Sequence, residues 1–104
     1  MELVGEAFYN DIEESKKEAA IAHLGSQSKL PYKTTIVCTP AELDLPKTLI
    51  ACANDKTFPR DIQIMTAEKW GATVVELESG HSPWMRDDLR PKIVEVIVKE
   101  ARRT

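Results

Sequence analysis

Metal-ligating and thiol side chains are scarce in this sequence. It holds two cysteines, Cys38 and Cys52, and two histidines, His23 and His81, with no CxxC and no HExxH. That is too few ligands at the wrong spacing for a zinc site, so neither a metal nor a cofactor is expected. Cys52 lies inside an apolar run, where cysteine acts as a small hydrophobe. Both thiols therefore read as reduced and structural, with a disulfide or a reactive thiol as the alternative. Basic charge is also sparse: the formal net charge is −3 and no Lys/Arg stripe extends beyond Arg102-Arg103, which leaves no footprint for nucleic acid or an anionic membrane. No apolar run approaches the roughly 20 residues of a membrane span. The start, MELVGEAFYND, has neither a basic n-region nor an apolar h-region. The expectation is a soluble, cytoplasmic protein with no nucleic-acid or membrane partner. Internal repeats and low-complexity segments are absent as well.

What remains is ordinary globular composition, 42% hydrophobic and 30% charged over 104 residues, enough for one compact domain. Residues 47–83 organise it. The run LIACA is followed by the turn signal Asn54-Asp55, and TVVEL by Ser79-Gly80. Between these two strands, residues 59–70 carry Ile62, Met65, Thr66 and Trp70 at helical spacing, open at Pro59 and close at Gly71. Strand, helix and strand form a βαβ unit, and a crossover of this length makes the strands parallel. Asp55 and His81 then leave the same carboxyl-terminal sheet edge, roughly 5 Å apart if the strands are neighbours. Ligand sites in open α/β sheets lie beyond that edge.

The flanks are simpler. Residues 2–10 read as a short helical turn with Leu3, Val4, Ala7 and Phe8 on one side. Residues 12–24 read as a helix with Asp11 as its cap, Glu13 and Glu14 at its positive end, and His23 near its close. A helix-end role for His23 is preferred over a catalytic one. Residues 26–46, interrupted by Pro31, Pro40 and Pro46, read as loop, with residues 35–38 as an edge strand at most. After a second loop at residues 82–90, residues 91–103 carry Ile93, Val94, Ile97, Val98 and Ala101 as one apolar stripe, expected to pack on the sheet. The division is a helical, cap-like segment over residues 1–46 and a βαβα core over residues 47–104.

The succession of an apolar strand, NDK-x-x-P-x-x-x-Q-x-M, a Gly-Ala-x-Val-Val strand, S-G-H-S-P and an amphipathic helix resembles the C-terminal end of an α/β-hydrolase. It is most similar to the small esterase branch that includes plant methylesterases and hydroxynitrile lyases. AFYND, the Glu/Ala-rich helix and L-x-x-Q-S resemble the cap segment of such enzymes, so the likeness spans nearly the whole chain. It implies a truncated α/β-hydrolase-like fold: a short parallel sheet with a βαβ unit, a C-terminal amphipathic helix and a helical cap remnant. Asp55 matches the triad acid and His81 the triad base. The family's G-x-S-x-G nucleophile elbow has no counterpart; Gly25-Ser26-Gln27 does not match it, and Ser79 and Ser82 lie too close to His81 in sequence.

Three readings follow. In the first, His81 and Asp55 perform general acid–base chemistry of lyase, cyclase or isomerase type on a small molecule, without a serine. In the second, the chain supplies the acid and base of a split or truncated esterase whose partner chain supplies the serine. In the third, it is a non-catalytic binding module. Trp84, Met85, Phe58, Phe8 and Tyr9 are candidate pocket residues, with a core role as the alternative. Two parallel strands seldom stand alone. A homodimer or a complex with a chain that completes the sheet is therefore expected, with coverage by the helix at residues 12–24 as the other solution.

Overall fold

The computed structural model describes residues 2–103 and shows a small α/β protein. Its centre is a two-stranded parallel sheet of β1 (Thr48–Cys52) and β2 (Thr73–Leu77), in register from Thr48 opposite Thr73 to Cys52 opposite Leu77. The connecting helix, α4 (Arg60–Trp70), begins just after Pro59, whose fixed φ suits a helix start. It ends at Gly71, which takes the left-handed conformation (φ 66°) that a side chain would resist. The Gly71 and Ala72 N–H groups return to the carbonyls of Glu68 and Ala67, which closes the last turn of α4.

Before the sheet come α1 (Glu2–Tyr9), α2 (Glu14–Ala22) and a one-turn helix α3 (Leu30–Lys33). Asp11 does not cap α2, contrary to expectation. Glu13 takes that place, its carboxylate accepting from Ser15 N–H at 3.3 Å, because the Asp11 carboxylate is bound on the far side of the chain by Gly80 and Arg86. His23 closes α2, and its Nδ1 lies 2.8 Å from the Ala19 carbonyl. Residues 35–38 form no strand. Their N–H and C=O groups find no sheet to join, and Val37 is wholly exposed.

The two amphipathic helices correct the sequence reading in one shared way. On α4 the residues turned into the protein are Gln63 and Ala67, while Ile62 and Met65 are 46% and 56% exposed. On α5 (Arg90–Ala101), Ile93 and Val96 turn inward, but Val94, Ile97 and Val98 stay exposed, Ile97 at 59%. The α5 stripe is thus only partly packed, and its first turn meets the 3-10 turn Pro83–Met85. Periodicity locates an apolar face, but whether anything covers it depends on the rest of the sheet, which here is two strands wide. The buried core accordingly gathers around the strand ends: Ile12, Ala51, Cys52, Ala67, Leu77 and Leu89, with Ser79 and Ser82 beside them. Among the described residues no helix is long and apolar enough to cross a membrane.

Candidate functional site

Parallel pairing continues past the strands and draws the two following loops together. Ala53 N–H donates to the Leu77 carbonyl and Asn54 N–H to the Ser79 carbonyl, each at 2.9 Å. The next side chains on the two loops meet: His81 Nδ1 lies 2.9 Å from Asp55 Oδ2. Asp55 Oδ1 accepts from the N–H groups of Thr57 and Phe58 at 2.8 and 3.1 Å. The carboxylate, only 5% exposed, is held from three directions. Such an acceptor fixes the proton of a neutral imidazole on Nδ1 and leaves Nε2 with a free lone pair. No other hydrogen bond engages the His81 ring among the described residues, and the ring is 34% exposed.

That ring borders a cleft of about 350 Å³ lined by the apolar side chains of Ile50, Phe58, Pro83, Trp84 and Ile93, with Cys52, Asp55 and Gln63 completing the lining. Phe58 and Trp84 both line this cleft. Phe8 reaches the site differently, its ring tilted against the His81 ring at 5.2 Å between centroids. Tyr9 packs edge-on against Phe8 at 6.3 Å, and neither it nor Met85 lines the cleft. A larger hollow, about 750 Å³, lies among the exposed residues 28–38 and has no acid–base pair on its walls. Of these two hollows, the smaller has the acid–base pair on its wall.

The end of α1 straps both loops down. The Ser82 hydroxyl donates to the Phe8 carbonyl at 2.8 Å, Thr57 Oγ1 to the Ala7 carbonyl, and Asn10 Nδ2 to the Asn54 carbonyl at 2.9 Å. Lys56 pairs with Glu6 at 2.6 Å. Asp11 Oδ2 accepts from Gly80 N–H and from Arg86 Nη1, both at 2.8 Å. Arg86 also forms a two-pronged pair with Asp88, at 3.0 and 2.6 Å. Those hydrogen bonds raise the Arg86 guanidinium pKa, Asp88 first and Asp11 second, and Arg86 in turn lowers that of Asp88. A Cβ on Gly80 would fall 1.9 Å from Asn10 Oδ1, so glycine is what lets the strap lie this close to the His81 loop.

One contributor, the glutamine of the NDK-x-x-P-x-x-x-Q-x-M run, was given no role from the sequence. Gln63 Oε1 accepts from Cys52 N–H at 2.7 Å while its Nε2 donates to the carbonyls of Cys52 and Phe58, at 2.9 and 2.6 Å. The side-chain amide pairs with the edge of β1 as another strand would, and it ties the Asp55 loop to α4. A glutamine at a position facing the sheet, four residues before the buried Ala67, was the available clue.

Among the described residues no nucleophile stands ready at His81. Ser79 and Ser82 are buried, and their hydroxyls donate to the carbonyls of Gly80 and Phe8. Burial raises the pKa of the Cys52 thiol and keeps it protonated at neutral pH. Among the described residues no group of three His, Cys, Asp or Glu side chains is placed to hold a metal ion. The arrangement can therefore abstract a proton at Nε2 and return it, with Asp55 stabilising the imidazolium between the two steps. Comparison with protein-family models, with curated proteins and with solved structures returned no match.

Proposed function

We propose that this chain is an α/β-hydrolase-like protein that has dispensed with acyl-transfer chemistry and acts on a small, largely apolar molecule by His81/Asp55 acid–base catalysis, as a lyase, cyclase or isomerase. The observation that carries this reading is the 2.9 Å His81–Asp55 pair, whose free Nε2 borders an apolar cleft. In this apolar-lined cleft His81 removes a proton from a carbon or oxygen acid. Asp55 offsets the positive charge on the ring, and the proton is then delivered to another atom of the same substrate. Neither step requires a serine. The resemblance of N-D-K and S-G-H-S-P to the end of an α/β-hydrolase supports the same assignment of roles.

Deuterium wash-in from D₂O into a panel of small apolar carbon acids, followed by NMR, tests the proposal. Exchange should be catalysed by the chain and fall about 100-fold or more in His81→Ala and in Asp55→Asn. Exchange that survives His81→Ala would refute the assignment. The split-esterase reading draws on a different observation, the unpaired outer edge of β1, where a completing chain carrying a serine would fit. It requires ester hydrolysis that appears only when a second protein is added, with a serine-directed phosphonate labelling that protein.

A further inference from the structure

The outer edge of β1 has a limited number of open groups, and they specify what can pair with it. Thr73 N–H bonds to the Lys47 carbonyl and Ala53 N–H to the Leu77 carbonyl, so the odd-numbered residues of β1 face β2. The even-numbered ones, Thr48, Ile50 and Cys52, turn their N–H and C=O groups outward. Gln63 already occupies both groups of Cys52. Thr48 and Ile50 remain, and Pro46, the next position on this side, has no N–H. An open edge of this kind is a template for another strand.

The exposed surface leaves room for an association of ordinary size. The chain exposes 7837 Å², about 2,000 Å² more than the roughly 5,900 Å² of a compact monomer of its mass. A standard interface covers only about 800 Å² on each partner. Part of the excess adjoins the open edge, where Ile97 of α5 shares a groove with Pro46, Thr48 and Ile50, and Val94 and Val98 extend the exposed stripe.

We propose that the occupant of this edge is a second copy of the chain, its β1 antiparallel to the first about a two-fold axis at Leu49. Thr48 then lies opposite the partner's Ile50, and Ile50 opposite the partner's Thr48. Four N–H···O=C bonds form and leave no outward group of these residues unmet. The pairing ends there, because the Gln63 amide already fills the place opposite Cys52 and the partner's strand turns away at the partner's Pro46. Neighbouring registers do worse. An axis at Ile50 sets Thr48 against the occupied Cys52, and an axis at Thr48 leaves the Ile50 carbonyl facing a proline. The self-complementary register joins two short sheets into one of four strands, a width at which sheets are stable.

The same geometry reaches the cleft. Thr48, Ile50 and Cys52 share one face of the strand, the face that α5 covers. Ile50 lines both the cleft and the groove beside α5, so the partner's Thr48, paired with Ile50, would extend the wall of the cleft. This consequence rests on the acid–base reading; the dimer does not.

Sedimentation or light scattering at micromolar concentration tests the dimer directly, with an expected mass twice 11.7 kDa. Thr48→Pro removes an outward N–H without touching the β1–β2 ladder and should weaken dimerisation tenfold or more, with circular dichroism reporting on the fold. Leu49→Cys in a Cys38→Ser background decides the register independently. The two-fold axis brings the introduced thiol within about 4.5 Å, Cα to Cα, of its counterpart in a non-hydrogen-bonded pair, which a disulfide can span. Most of that variant should cross-link under mild oxidation. A mass of 11.7 kDa throughout the micromolar range, or a dimer in which Leu49→Cys fails to cross-link, overturns the proposal. A cross-linked dimer with no His81-dependent exchange would instead overturn the acid–base reading and leave the dimer standing.

Discussion

The carboxyl ends of the two strands and residues 24–46 are built from similar residues and behave as opposites. Around Asp55 and Gly80 hydrogen bonds are dense: Asp55 has three partners, Gln63 three, Asp11 two, and the loops are bound to α1 as well as to each other, although Asn10 Oδ1 and Asp11 Oδ1 are buried without a partner among the described residues. Residues 24–46 contain Leu30, Tyr32, Ile36, Val37, Leu43 and Leu45, ample apolar material for a core, and all of these stay exposed. The difference is backbone support. At the strand ends, successive N–H and C=O groups are committed to the ladder, which fixes where the side chains sit. In residues 24–46 the prolines and short turns commit few such groups, so apolar side chains have no fixed surface to close upon.

If that contrast is correct, the largest response to a small change should come from Gly80→Ala. The added methyl would lie 1.9 Å from Asn10 Oδ1 and 2.7 Å from Asp11 Oδ1. Asn10 cannot swing aside without losing its bond to the Asn54 carbonyl, nor Asp11 without losing Gly80 and Arg86. A loss of about 3 kcal/mol is expected from steric overlap and broken hydrogen bonds together, read as a shift in the urea midpoint. A loss below about 1 kcal/mol would mean the strap is not closed in solution.

Gln63→Leu should follow. It keeps most of the side-chain volume but strands the Cys52 N–H and the carbonyls of Cys52 and Phe58. Because leucine removes the buried amide together with its bonds, about 2 kcal/mol is expected rather than the sum of three buried losses. Hydrogen exchange at the Cys52 amide should accelerate with it, and Gln63→Glu should restore the Cys52 N–H bond alone. Unchanged exchange would show that the amide does not stand in for a strand.

The same contrast explains what could be read from the sequence. The βαβ unit and the meeting of Asp55 with His81 were legible because each apolar run stops at a turn signal, and parallel strands deliver both turns to one edge. Gln63 was not, since its burial comes from a pairing with backbone groups that no periodicity reports. Asp11 was misread for a related reason: next to a helix a carboxylate looks like a cap, and only the tertiary fold shows Gly80 and Arg86 competing for it. The stripes of α4 and α5 were identified as apolar, yet Ile62, Met65 and Ile97 lie on the surface. Amphipathic spacing encodes a face that can be covered, and the cover has to come from somewhere else.

The smallest effect should appear in residues 24–46. Val37 is wholly exposed and borders the hollow among residues 28–38. A valine that leaves no water behind on folding contributes almost no hydrophobic stabilisation, whatever its intrinsic hydrophobicity. Val37→Ser should therefore move the unfolding free energy by less than about 0.5 kcal/mol. The same replacement at Leu77, which is buried beside the site, would remove a packed side chain and cost several times as much. A loss above about 1 kcal/mol at Val37 would show that residues 28–38 fold onto a surface in solution. The excess area of the chain would then be closed from within as well as by a second copy, and the contrast between the two regions would narrow by that amount.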